Sequence, residues 1–251
     1  MPVVEVRAQN ETLVASIGRP LRGNALDHAT VEALHAVFDR VDAHECRVLV
    51  LQGEGRHFCT GFDLGGLEEA SDADLLHRFI RIELLLQRCF RAPVPTIAVA
   101  QGKVLGAGAD LFTACDHRWA LPDATFAFPG SGFGLVLGTA RLVWRIGADA
   151  ARDLIWSGQP IDASRALQLN LASRIVDPAA LDAALQNPVG RLPDRPTFMS
   201  MRPIVSASDD DASLAHLVRS AARPGLRQRI IDYRQQVRAE RVATVDTPLP
   251  E

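Results

Sequence analysis

The sequence predicts an α/β fold, and three observations predict it. A short apolar run, a glycine-bearing turn and an amphipathic stretch follow one another repeatedly, the order that builds strands covered by helices. Hydrophobic residues make up 47% and charged residues 23% of the 251 positions, enough for one large domain or a domain with an appendage. The apolar runs are short, as in buried strands, and none approaches the roughly 18 residues of a membrane span.

Val3–Arg7 and Thr12–Ile17 read as strands. Arg19 to Asn24, with Pro20 and Gly23, has turn chemistry. Asp27 is suited to cap a helix running to about Ala43, whose Val31, Leu34, Val37, Phe38 and Val41 recur at helical spacing. Arg47–Gln52 reads as a buried strand ended by Gly53-Glu54-Gly55, and His57–Asp63 as an extended piece ending at Gly61. Asp74–Phe90 is an amphipathic helix with Leu75, Phe79, Ile82, Leu86 and Cys89 on one side, stopped by Pro93-Val94-Pro95. Thr96–Ala100 is a strand, followed through Gly102 by a helix from about Ala107 to Cys115. His117–Ala120 and Thr125–Phe128 read as strands. A glycine-rich loop, Gly130 to Gly138, precedes helices near Thr139–Ile146 and Ala148–Trp156. Asn187 to Pro196 reads as a linker. From Pro203 to Ala239 the chain is polar, with Leu214, Leu217, Val218, Leu226, Ile230, Tyr233 and Val237 at helical spacing; such helices need the main domain or a neighbouring subunit to pack on. The division expected is a core over residues 1–187 and a C-terminal helical region over 188–251. No sequence repeat of fixed period stands out.

The formal net charge of −3 gives no basic footprint for a nucleic acid. Cys46, Cys59, Cys89 and Cys115 show neither C-x-x-C spacing nor a ligand-like histidine pattern, so neither a metal site nor a disulfide framework is expected. Small buried thiols suit a reducing, cytoplasmic setting. Residues 1–11 carry Glu5 and Arg7 and lack the apolar stretch of a signal peptide.

Three glycine-bearing stretches concentrate the chemistry: Gly55 to Leu64 (GRHFCTGFDL), Gln101 to Leu111 (QGKVLGAGADL) continuing through Cys115-Asp116-His117-Arg118-Trp119-Ala120, and Phe126 to Gly134 (FAFPGSGFG). Each puts small residues where a strand ends and a helix begins. Helix starts offer unpaired N–H donors and partial positive charge, and two of them facing each other form a cradle for developing negative charge.

These stretches resemble the signature of the crotonase, or enoyl-CoA hydratase/isomerase, superfamily: F-C-x-G-x-D-L, then N-G-x-x-x-G-G-G-x-E-L followed by C-D-x-R-x-A. Asn24-Ala25-Leu26-Asp27 resembles that family's N-A-L loop, and the match runs from about Arg19 to Val176. The resemblance implies a spiral of repeated ββα units with a C-terminal helical region. It also implies an acyl-CoA thioester substrate whose enolate is held by the backbone N–H groups of Phe62 and Ala107. Arg22, Ala25, Thr60, Asp63 and Leu64 would then line the CoA channel. Leu64, Leu67, Leu105 and Phe128 would face pantetheine or the acyl chain, and Pro129, Gly130, Leu135 and Gly138 would border the substrate. Coenzyme A arrives with the substrate, no metal or other cofactor is implied, and relatives assemble as trimers or dimers of trimers. Read by itself, Asp63 could equally cap the next helix.

Asp110 stands where the family's hydratases carry their first catalytic acid, as Glu. Asp reaches roughly 1.5 Å less but still serves as a base. A carboxylate that only complements the helix dipole is the competing reading. The second acid of hydratases follows the proline of the third motif; here Pro129 is followed by Gly130. The position eight residues on, acidic in some relatives, is Gly138, and no Asp or Glu occurs from Ala124 to Ala148. Hydratase or isomerase chemistry on Asp110 is the expected activity. The incomplete acid pair keeps open thioester hydrolysis, decarboxylation, C–C cleavage, or a silent CoA-binding paralogue. Elsewhere, Gly130-Ser131-Gly132-Phe133-Gly134 lacks the context of a dinucleotide loop, and Ser131 reads as a loop serine. His57 reads as solvated or facing a CoA phosphate, Asp116 and Arg118 as a structural pair or turn, and Trp119, Trp144 and Trp156 as packing residues.

Overall fold

In the computed structural model residues 2–43, 45–206 and 209–245 are described. Met1 and residues 246–251, the two ends of the expected core and C-terminal regions, lie outside them. The strands are β1 (Val4–Gln9), β2 (Thr12–Ile17), β3 (Val48–Gly53), β4 (Thr96–Ala100), β5 (Lys103–Leu105), β6 (His117–Ala120), β7 (Thr125–Ala127), β8 (Ile161–Asp162) and β9 (Arg174–Ile175). The helices are α1 (His28–Asp42), α2 (Asp72–Phe90), α3 (Ala107–Ala114), α4 (Thr139–Ile146), α5 (Ala148–Ser157), α6 (Ala163–Gln168), α7 (Leu181–Gln186), α8 (Arg195–Val205), α9 (Asp210–Ala221) and α10 (Leu226–Val245).

One sheet runs β1-β2-β3-β4-β6-β9, parallel except for the antiparallel β1–β2 edge. A smaller sheet runs β5-β7-β8. The central strands are buried on both faces, which explains their continuous apolar runs. Side chains alternate along them. Leu49, Leu51, Ala98 and Ala100 join the main core with α1, α2 and α3. Val48, Val50, Ile97, Val99 and Trp119 face the other way, covered by Leu181, Leu185, Val189 and Leu192. The expected linker around residue 190 therefore lies against the sheet through Val189 and Leu192, and α8 already begins at Arg195.

Local chemistry sets the helix starts. The Asp27 carboxylate accepts the Thr30 N–H, capping α1. Ser71 and Asp74 form a reciprocal capping box, so α2 starts two residues before Asp74. Asp72, inside that first turn, accepts the backbone N–H groups of Gly225, Leu226 and Arg227, and so ties the start of α10 to the start of α2. These bonds hold its carboxyl below the ordinary range. α3 is buried along all eight residues.

Candidate active site

The segment preceding Phe62 runs beside β5: Cys59 pairs with Val104, and Leu105 N–H donates to Cys59 O at 3.0 Å. Gly61 then turns with φ +95, and a Cβ there would lie 2.6 Å from Leu105 O and 3.4 Å from Ala107 N. No side chain fits, and only glycine takes that backbone at little cost. Close approach brings the Gly61–Phe62 peptide against the start of α3. The bridge between Leu26 and Phe62 uses Leu26 N–H, donated to Gly61 O, and Asp63 N–H, donated to Leu26 O. It leaves Phe62 N–H out. Ala107 is the first residue of α3, where no intrahelical acceptor exists. Among the described residues neither amide has an acceptor in the chain.

Both residues line a cavity of about 390 Å³. Its walls are mostly apolar: Phe62, Leu64, Phe79, Leu105, Phe128, Phe133, Leu135, Leu137, Leu142, Ile155 and Ile230. Asp110, one turn into α3, is its only acidic lining residue among those described, and it is 5% exposed. Burial pushes its carboxyl well above the ordinary range, the positive charge of Arg141 opposing this and the negative charge of Glu83 adding to it. Behind it Arg141 and Glu83 form a fully buried ion pair at 2.5 Å. Two backbone N–H groups without an acceptor and one buried carboxyl thus belong to residues on the wall of one mostly apolar cavity, the kind of groups that can stabilise developing negative charge and exchange a proton.

Pro129 and Gly130 line the cavity, so the position after the proline faces the same space as Asp110 but carries no side chain. Gly138 precedes α4 at φ +66, and a Cβ on it would lie 2.2 Å from Asp110 Oδ1. Asp110 thus fills the volume that a side chain at 138 would need.

Phe62, Ala107, Asp110, Thr60, Leu64, Leu105, Phe128, Pro129, Gly130 and Leu135 converge on the cavity wall. Arg22, Ala25, Asp63, Leu67 and Gly138 are not part of it. Arg22 is exposed, Ala25 and Leu67 are buried at 7% and 1%, and Gly138 backs Asp110. Asp63 accepts Gly65 N–H and pairs with Arg19 at 2.7 Å, and turns rather than a helix follow it. His57 faces its own chain, its Nδ1 accepting the Lys103 N–H. Asp116 pairs with Arg202 and accepts the Thr96 N–H, and Arg118 donates to the carbonyls of Cys115, Asp116, Asn170 and Leu171, so both serve structure. Trp119 is buried, but Trp156 is 77% exposed and does not pack inside the chain.

Sequence reasoning missed the outer wall. Ile230, Tyr233, Arg234, Val237 and Arg238 of α10 line the cavity. The Tyr233 ring packs against Phe133 at 5.5 Å, and Arg234 pairs with Glu68 at 2.9 Å. The helical spacing of Ile230, Tyr233 and Val237 was the available signal, but spacing gives a face without saying what it covers.

The family model for enoyl-CoA hydratase/isomerase matches residues 7–199. This chain belongs to that family. A crystal structure of a protein assigned to the enoyl-CoA hydratases/isomerases, from Bordetella parapertussis, superposes with a TM-score of 0.89 at 37% identity, covering 93% of this chain and 98% of its own. The protein named "Probable enoyl-CoA hydratase echA6" in Mycobacterium bovis is 33% identical over 176 residues, 69% of this chain and 70% of that one. The ethylmalonyl-CoA decarboxylase of Gallus gallus is 39% identical over 128 residues, 49% of this chain and 43% of its own. The fold is that of the crotonases, as the sequence motifs imply. Among the described residues no helix is long and apolar enough to cross a membrane, and no group of three or more His, Cys, Asp or Glu could hold a metal ion.

Proposed function

We propose that this chain processes acyl-CoA thioesters by hydratase/isomerase-type chemistry, with the thioester enolate oxygen between the N–H groups of Phe62 and Ala107 and Asp110 moving the proton. The observation that carries this is two unengaged backbone donors and one buried carboxyl on the wall of a single apolar cavity. Polarising the thioester carbonyl acidifies C2–H, and a carboxylate beside it takes that proton and returns it at C2 or C4. One carboxylate suffices for such a transfer. Adding water also needs a group to orient the water, so isomerisation of a 3-enoyl-CoA fits a site with Gly130 better than hydration of a 2-enoyl-CoA. Coenzyme A comes with the substrate, and no other cofactor is invoked.

Turnover of a 3-enoyl-CoA and of crotonyl-CoA, with solvent deuterium uptake at C2, tests the reading. Asp110→Asn is expected to lose on the order of a hundred-fold in kcat. Undiminished turnover in that variant removes Asp110 from the mechanism.

A second reading is favoured by the upward shift of the Asp110 carboxyl. A neutral acid can protonate an enolate that forms without a base. In a 2-carboxyacyl-CoA, breaking the bond between C2 and the carboxylate releases CO2 and leaves its electron pair in the enolate, which takes the Asp110 proton at C2. Half of this chain is similar to a decarboxylase. Carbon dioxide release from a malonyl-type thioester distinguishes this reading. Free CoA alone indicates thioester hydrolysis, cleaved carbon skeletons indicate C–C cleavage, and binding without turnover indicates a silent paralogue. In either case we propose a cytoplasmic homotrimer or dimer of trimers, for which the exposed Met199, Met201, Ile204 and Val205 of α8 supply apolar surface.

A further inference from the structure

One face of α10 builds the outer wall of the cavity. Ile230, Tyr233 and Val237 recur three and four residues apart, and all three line the cavity. The Tyr233 ring rests on the loop from Pro129 to Gly134. A Cβ at Gly132 would lie 2.5 Å from Tyr233 Cε2 and 2.8 Å from Cδ2. Gly132 does not take a positive φ, so the ring and not the turn excludes a side chain there. Phe133 packs against the same ring, centroids 5.5 Å apart. Anchors on both sides of Tyr233 hold the helix in place. Before it, Asp72 accepts the N–H groups of Gly225, Leu226 and Arg227. Arg229 Nη1 donates to the carbonyls of Phe133 and Gly134 at 2.8 and 3.2 Å, and its Nη2 to that of Ser220 at 3.1 Å. After it, Arg234 pairs with Glu68 at 2.9 Å. The ring is therefore a fixed part of the wall.

The chemistry of this wall selects what lies against it. The pantetheine arm of coenzyme A carries two amides, and each needs a hydrogen-bond partner once it leaves water. The side chains of Phe133, Ile155, Ile230 and Val237 offer none. A hydrocarbon chain fits them, and each methylene it buries improves affinity about four-fold. The cavity of about 390 Å³ is at the small end of ligand sites, which run from roughly 300 to 1,000 Å³, so the chain it takes has an upper length. We propose that Tyr233, seated on Gly132, sets that length, and that the substrate is an acyl thioester whose tail continues beyond the reacting carbons as plain hydrocarbon. This rests on the reading of the cavity as an acyl-CoA site but not on Asp110 as its base. The thioester and C2 occupy the inner wall, at Phe62, Ala107 and Asp110, and the outer wall is left for the tail.

The test is calorimetric titration of the full chain with saturated acyl-CoAs from butyryl to lauroyl, which neither hydrate nor isomerise. In the parent, Kd is expected to fall about four-fold per added methylene and then to stop falling at a definite length. Tyr233→Ala moves that limit to longer chains, so that Kd for the first length beyond the parent's limit falls about four-fold. Tyr233→Trp moves the limit to shorter chains. A limit that stays put in both variants, or that moves the same way in both, overturns the proposal. So does a parent that binds butyryl-CoA and lauroyl-CoA equally well, because the tail then does not lie in the cavity. Should Tyr233→Ala fail to fold, an unmoved limit in Tyr233→Trp overturns it alone. A protein that binds no acyl-CoA removes the reading of the site and the proposal with it. A limit that follows residue 233 in a protein without turnover keeps the specificity role and removes the hydratase/isomerase chemistry.

Discussion

The guanidinium carbon of Arg78 lies 4.3 Å from the centre of the Phe62 ring, while Nη2 of the same side chain donates to Asp63 O at 2.9 Å. Phe79, the next residue of α2, stacks on that ring with centroids 4.3 Å apart. The Phe62 side chain, which an N–H donor does not itself need, is thus clamped by one helix from which the peptide at 62–63 takes its orientation.

Arg78→Ala releases the stack and one backbone bond. Cation–π contacts of this kind contribute about 0.5–2 kcal/mol, so kcat is expected to drop by on the order of ten-fold. Arg78→Lys should restore part of it, since the charge stays but the planar stack does not. Steady-state kinetics and the enolate absorbance of bound acetoacetyl-CoA report the change, and an unaltered absorbance in Arg78→Ala would detach this clamp from oxyanion binding.

The two glycines that bound the loop from Gly130 to Gly138 differ in what they permit. A Cβ on Gly130 would meet only Leu135 O, at an ordinary 3.5 Å, so Gly130→Glu is expected to fold and add an acid to the cavity, raising crotonyl-CoA hydration. Gly138→Ala would drive a methyl into Asp110 and force a left-handed residue, costing roughly 1–3 kcal/mol and most of the activity. Gly158→Ala, at φ +60 with open space around it, should lose stability without losing turnover. Equal kcat losses at 138 and 158 would refute the steric link to Asp110.

The raised Asp110 carboxyl makes a statement about stability. Below about pH 3.9, the ordinary value for Asp, folded and unfolded chains both hold the proton and the residue contributes no pH dependence. As the pH rises the unfolded chain releases its proton first, and stability falls until the folded carboxyl ionises too. Asp110→Asn is therefore expected to exceed the parent in urea midpoint at neutral pH, with the gap closing in acid. A gap that is the same at both ends of the range would contradict the burial-driven shift.

Strands and early helices could be read from periodicity because their burial is local to each segment. Leu49 and Leu51 alternate with Val48 and Val50 whatever lies beyond them. Gly61 was legible because close approach demands glycine there, while Ala107 and Asp110 came from the family resemblance of the motifs. What could not be read was which surfaces meet across the chain. The Asp72 carboxylate caps a helix 153 to 155 residues away, and no local pattern reports that. Leu67 has the same apolar character as Leu64, yet one is core and the other borders the cavity. Arg141 and Glu83 became partners only when α2 and α4 were side by side.

The cavity is built from two kinds of wall. The inner one, from Thr60 to Phe62 and from Leu105 to Asp110, is immobilised by sheet pairing and by a helix with no exposed residue. The outer one, from Pro129 to Thr139 and from Ile230 to Arg238, contributes no acid and rests on contacts between loop and helix. Such a division separates the parts free to diversify from the parts that must not. A lineage could swap the outer panel to change what the cavity admits, or add an acid to it, while the Phe62 and Ala107 amides stay in register.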